Sequence, residues 1–141
     1  MSTFVRFTPI SGCRQQDNSP LSYLLEIDQA RLLLDCGLNP SSLTTDHFNI
    51  LKKTNIDAIL ISHATIEHVG GLPWVVGGLG IGCPVLGTVP VHHFGLVTCY
   101  DAYQSFLESN GKAPESLCLD HVDRSFEHMT MLRCPLDFIL S

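Results

Sequence analysis

Basic residues are scarce: eight Lys and Arg against fourteen Asp and Glu leave a net charge of −6. A chain of that sign does not hold nucleic acid by its overall field, because phosphate binding calls for clustered cations. Lys52-Lys53 is the one pair of adjacent basic residues. Charged residues make up only 16% and hydrophobic residues 45%, which excludes a disordered segment and describes a soluble α/β body with a buried core. No apolar run reaches the roughly 20 residues that cross a bilayer, so no membrane partner is expected. The opening stretch, 1–9, carries Arg6 inside a strand-like alternation and does not read as a signal peptide. The six cysteines include no C-x-x-C pair, against both a zinc ribbon and a disulfide framework. Cys36, Cys83 and Cys99 lie in apolar segments, where free cysteine is a common small core residue, so a reducing compartment is the simpler reading. Repeats, low-complexity tracts and linkers are absent, and 141 residues make at most one domain.

What is present reads as strands followed by alternating helix and strand. Phe4–Ile10 alternates as a strand, and Ser11–Pro20 is a polar loop. Leu21–Ile27 and Ala30–Leu34 flank Asp28-Gln29 as a short hairpin. Thr44, Thr45 and Asp46 are N-cap candidates for a helix through Lys53, with Asn55 suited to its end. Cys83–Gly87 is another strand. Pro90 opens a long helix with Val91, Phe94, Val97, Tyr100, Tyr103 and Leu107 at helical spacing, closed by Asn110-Gly111. Leu119–Met131 reads as a further helix.

The chain is organised around Ile56–Val76. Ile56–Ile61 is a continuous β-branched run, the pattern of a strand buried on both faces. It breaks into Ser62-His63-Ala64-Thr65-Ile66-Glu67-His68, and Gly70-Gly71-Leu72-Pro73 then starts a helix running to about Gly77. A loop leaving the carboxyl end of a buried strand is where open α/β sheets keep their sites. This one carries two histidines and a carboxylate, a metal-binding vocabulary.

The stretch S-H-x-x-x-E-H-x-G-G-L-P-W resembles the signature loop of the metallo-β-lactamase fold, H-x-H-x-D-H in active members. The resemblance places His63 and His68 on the outer histidines, Thr65 on the middle one and Glu67 on the aspartate. A neutral hydroxyl is a poor zinc ligand beside imidazole, and Glu67 moves its charge outward by one methylene. Leu34-Asp35-Cys36-Gly37 resembles the family's first motif, whose aspartate orients the histidine loop. The later motifs, with their further histidine and bridging aspartate, have no match up to Ser141. Thr88-Val89-Pro90-Val91, Tyr100-Asp101-Ala102-Tyr103-Gln104-Ser105 and Leu119–Phe126 narrow the resemblance to the β-CASP branch. Within it they are similar to the non-catalytic subunits of pre-mRNA 3′-end cleavage and polyadenylation, whose histidine loop is also degenerate.

That resemblance implies an α/β fold, the N-terminal half of an αββα sandwich: a mixed sheet with covering helices and one face left for a missing partner sheet. It divides the chain into a partial metallo-β-lactamase-like domain, 1–130, and a divergent tail, 131–141, as in a truncated form. The function it implies is a pseudo-nuclease in the nucleus, working with the other subunits of the complex, the active nuclease among them. Such a chain reaches pre-mRNA through that complex. The alternative is a zinc-dependent hydrolase or nuclease with a reduced metal site built from His63, Glu67 and His68. On the first reading Asp35, His63, Thr65, Glu67 and His68 are vestigial metal-site positions, with no catalytic residue and no cofactor. His63 and His68 then cap the strand and the following helix, and Glu67 is a carboxylate favoured at a helix N-terminus. His92-His93 reads as solvated surface. Trp74 and the aromatic residues of the long helix read as core, although Tyr100 and Tyr103 have rings able to stack on RNA bases.

Overall fold

The computed structural model describes residues 2–12, 19–115 and 117–133. They form a six-stranded mixed sheet in sequential order: β1 (Val5–Ser11), β2 (Ser22–Ile27), β3 (Ala30–Leu34), β4 (Ala58–Ile61), β5 (Val85–Thr88) and β6 (Met129–Leu132). The first three strands are antiparallel, joined by the hairpin at Asp28-Gln29, where Asp28 takes φ 54°. Aspartate is one of the few side chains that tolerate this region. From β3 onward the strands are parallel, so each return requires a crossover. Most of the loop 11–20 and residues 134–141 of the tail lie outside the described residues.

The crossovers lie on one face, and alternation along the strands follows from that. Leu24, Leu33, Ile59, Ile61 and Val85 point into the covered face and are fully or nearly buried. The opposite face carries Phe7, Leu25, Leu32 and Ala58 in one cross-strand row. Beside it run Tyr23, Leu34, Leu60 and Leu86. These residues are half-buried or exposed, and Phe7 stacks on Tyr23 with ring centroids 5.1 Å apart.

Five expectations are corrected. The segment after Thr45 is a 3-10 helix, Asp46–Lys53, with no side-chain cap. Its buried residues Phe48 and Leu51 are three apart, the spacing that eclipses in a 3-10 turn. The helix of the histidine loop begins at Ile66 rather than Gly70: α1 is Ile66–Val69, followed by a π-helical turn, Trp74–Gly78. Gly70 and Gly71 serve close packing. A Cβ would meet the Ile66 carbonyl oxygen at 2.6 Å from the first and the Phe48 ring at 2.4 Å from the second.

The long helix α2, Val89–Asn110, is capped by the Thr88 hydroxyl and by Gly111 at φ 68°, but it buries a different stripe. Val91, Gly95 and Cys99 face the core, while Phe94 and Val97 are 66% and 63% exposed and Tyr100 faces solvent. Gly95 sits against the Phe126 ring, where a Cβ would fall 3.0 Å away. The helix approaches through its small residues and turns its large ones outward. Trp74 and Tyr103 do pack, half-buried, against the core. Finally, α3 spans Leu119–Glu127 only. The His128 amide closes it on the Arg124 and Phe126 carbonyls, and Met129–Leu132 pairs in parallel with β5. Tertiary pairing overrides helical propensity there. His92 is likewise not plain surface, since its Nε2 donates to the Phe126 carbonyl at 2.9 Å.

Candidate functional site

The histidine loop leaves the carboxyl end of β4, and the continuation of β3 holds it. Asp35 takes φ 60° just past β3 and is 9% exposed. Its turned backbone aims the carboxylate at Ser62: Oδ1 accepts the Ser62 amide and Oδ2 the Ser62 hydroxyl, both at 2.7 Å. A carboxylate with so little exposure is stable when its lone pairs are met in this way. Beyond Asp35 a backbone ladder clamps the loop. The Cys36 amide donates to the His68 carbonyl at 2.7 Å, Leu38 to Ile66 at 3.0 Å, and Gly71 to Cys36 at 2.6 Å. Leu21 donates to the Glu67 carbonyl at 2.8 Å, and Gly37 to Leu21 at 2.9 Å. His47 Nε2 donates to the Gly37 carbonyl at 3.1 Å, which ties the 3-10 helix to the same loop.

These bonds fix the imidazoles. The Ser62 hydroxyl proton is engaged by Asp35, so its oxygen accepts from His63 Nδ1 at 3.0 Å, which sets the Nδ1–H tautomer. This polarity is the reverse of a serine nucleophile, whose proton must pass to the histidine. Thr65 Oγ1 and His68 Nδ1 share a hydrogen bond at 2.8 Å. The His63 and His68 rings lie 4.6 Å apart between centroids, tilted by 40°.

Asp35 and both histidines therefore meet around one loop, as the sequence indicates. Thr65 stands beside His68, and Glu67 contributes its backbone carbonyl from the first turn of α1. Ser62, the link between Asp35 and His63, was not singled out by sequence reasoning. A serine at the first position after a buried strand, facing an aspartate one motif earlier, is the signal that points to it. Burial pushes the Cys36 thiol well above its ordinary value, with the Asp35 charge adding to the shift, so the thiolate needed for metal ligation is disfavoured there.

A zinc site of this fold needs about three firm ligands per ion. Two imidazoles approach each other here, Asp35 is committed on both oxygens to Ser62, and among the described residues no three His, Cys, Asp or Glu side chains gather to hold an ion. Among the described residues, two imidazoles and a committed carboxylate are fewer donors than a pair of zinc ions takes.

Comparison with known proteins adds to this geometry. The metallo-beta-lactamase superfamily domain matches residues 24–135. The chain is 37% identical over 135 residues to the probable cleavage and polyadenylation specificity factor subunit 2 of Drosophila melanogaster, covering 94% of this chain and 17% of that protein. It is 36% identical over 143 residues to cleavage and polyadenylation specificity factor subunit 2 of Arabidopsis thaliana, covering 100% of this chain and 19% of that one. A more distant relative, transcription termination factor FttA of Pyrococcus abyssi, is 29% identical over 124 residues, 80% of this chain and 19% of the relative. The chain thus spans under a fifth of the length of these proteins. Six mixed strands with helical crossovers, an aspartate that orients a histidine loop at the end of β4, and a family match across most of the residues agree: the chain belongs to the metallo-β-lactamase superfamily.

Proposed function

We propose that this chain is part of a non-catalytic subunit of the pre-mRNA 3′-end cleavage and polyadenylation complex. On this reading it is a nuclear pseudo-nuclease whose fold serves assembly beside an active nuclease subunit, and it meets pre-mRNA within that complex. Similarity to specificity factor subunit 2 from a fly and a plant supports the role in RNA 3′-end processing. The observation that carries the non-catalytic half is Thr65 itself, whose hydroxyl bonds to His68 Nδ1 at 2.8 Å. A hydroxyl stands where active relatives place an imidazole ligand, and it adds no third firm donor to His63 and His68.

Tagging the endogenous gene at its N-terminus and identifying the co-purifying proteins tests the proposal. Recovery of 3′-end processing subunits from nuclear extract, with the longest product of the gene, is the expected result. A cytoplasmic, zinc-loaded product without those partners would replace this reading with the zinc-dependent hydrolase.

A further inference from the structure

Cations scattered through the sequence converge at the edge of the sheet. Arg6 of β1, Arg31 of β3 and Lys53 at the end of the 3-10 helix line one groove of about 340 Å³, together with Thr54 and the carboxylate of Glu26. Register explains the meeting: Glu26 is the cross-strand partner of both Arg6 and Arg31. It holds Arg6 at 3.7 Å and Arg31 at 3.2 Å. The Glu26 side chain is 16% exposed, whereas those of Arg6 and Arg31 are 62% and 45% exposed. The carboxylate thus lies beneath, and the guanidinium groups face outward with donors to spare. The nearby Asp57 carboxylate accepts the Arg31 backbone amide at 2.7 Å. The Asp28 carboxylate likewise accepts the Phe4 backbone amide at 2.9 Å, so what the groove offers a phosphate is three outward-facing cation heads at its rim on a chain whose net charge is −6.

An aromatic platform adjoins the cations. Phe4 is 50% exposed, and the Arg6 guanidinium lies over its ring, 5.2 Å from the centroid. Arginine forks match the oxygens of a phosphate, and an exposed ring beside them offers a surface on which an unpaired base stacks. We infer that this groove binds the backbone phosphates of single-stranded nucleic acid, with one base resting on Phe4 and Arg6. The inference rests on the outward-facing cations and the exposed ring beside them and goes beyond the assembly reading. Each can fail in its own experiment while the other stands.

Anisotropy of a labelled, unstructured single-stranded RNA, titrated with the 141-residue chain on a soluble fusion partner, is the test. Three phosphate contacts give a slope of log affinity against log salt of about −2, or roughly fifteenfold weaker binding between about 50 and 200 mM salt. Replacing Arg31 and Lys53 together by alanine should weaken low-salt binding about tenfold or more. Lys112→Ala and Arg124→Ala should leave it unchanged. Glu26→Gln should strengthen binding by freeing both arginines, a result that misfolding cannot imitate. Phe4→Ala should weaken RNA binding without changing inhibition by inorganic phosphate. Absent or salt-independent binding, indifference to the Arg31 and Lys53 changes, preference for a duplex of equal length, or a site that takes inorganic phosphate alone would each overturn the inference.

Discussion

Gly37 lies so close beneath Glu67 that a Cβ built on it would meet the Glu67 carbonyl oxygen at 1.7 Å. The same carbonyl accepts the Leu21 amide at 2.8 Å, and Gly37 donates to Leu21 at 2.9 Å. No rotamer relieves a Cβ–backbone clash, so the two segments would have to separate. Gly37→Ala is therefore expected to destabilise the chain by about 3 kcal/mol or more, the range of severe local disruptions. Urea unfolding of the two proteins measures it, and a loss below about 1 kcal/mol would refute the clamp.

Asp35 allows a graded comparison. Asp35→Ala removes the acceptors of the Ser62 amide and hydroxyl and also places alanine at φ 60°. Asparagine keeps one acceptor and tolerates the left-handed region. Alanine should cost about 3 kcal/mol and asparagine about half of that. Hydrogen exchange at the Ser62 amide should quicken in the same order.

His47 gives the chain a pH dependence. Burial lowers its pKa below the ordinary 6.5, against the opposing effects of the Gly37 carbonyl bond and the Asp46 charge. The unfolded chain then takes up the proton more readily than the folded one. Its contribution to stability is complete above about pH 6.5 and is lost as pH falls through the folded-state value. Comparing unfolding at about pH 7.5 and 5.5, the wild-type chain should weaken more on acidification than His47→Gln. Equal losses would remove His47 as the cause.

The histidine loop is expected to hold metal poorly. Dialysed chain should carry well under one zinc per molecule by elemental analysis. Thr65→His with Glu67→Asp should raise zinc affinity about tenfold or more by adding a ligand and restoring the shorter carboxylate, without producing RNA cleavage. Near-stoichiometric zinc that disappears in His68→Ala would favour the hydrolase instead.

The elements most legible in the sequence are those whose own residues decide them. The β2–β3 hairpin follows from two apolar runs around Asp28-Gln29, and β4 from its β-branched run. The ends of α2 follow from Thr88, Pro90 and Gly111. What sequence does not disclose depends on partners far along the chain. Met129–Leu132 is a strand because β5 has an open edge, and Phe94 faces outward because Gly95 brings the helix in close. At the site, the residue types mark the loop, but the Asp35–Ser62 contact joins positions 27 residues apart. Its geometry depends on a left-handed backbone that aspartate does not advertise. Basic residues too sparse to count in composition become a groove only through strand register.

The pairing of β6 with β5 also bears on the order of assembly. Val85 must find Met129 after α2 and α3 have been made, and closing a loop of about 44 residues carries a larger entropic penalty than the two-residue hairpin turn. The hairpin and its packing against β4 can form while the later helices are still being synthesised, whereas the last parallel pair waits for the whole excursion. In pulse-labelling of backbone amides during refolding, protection should come early at Leu24 and Leu33 and last at Gly87 and Thr130. Until then the outer edge of β5 is an unpaired strand, and the window for misassembly closes when Met129 docks.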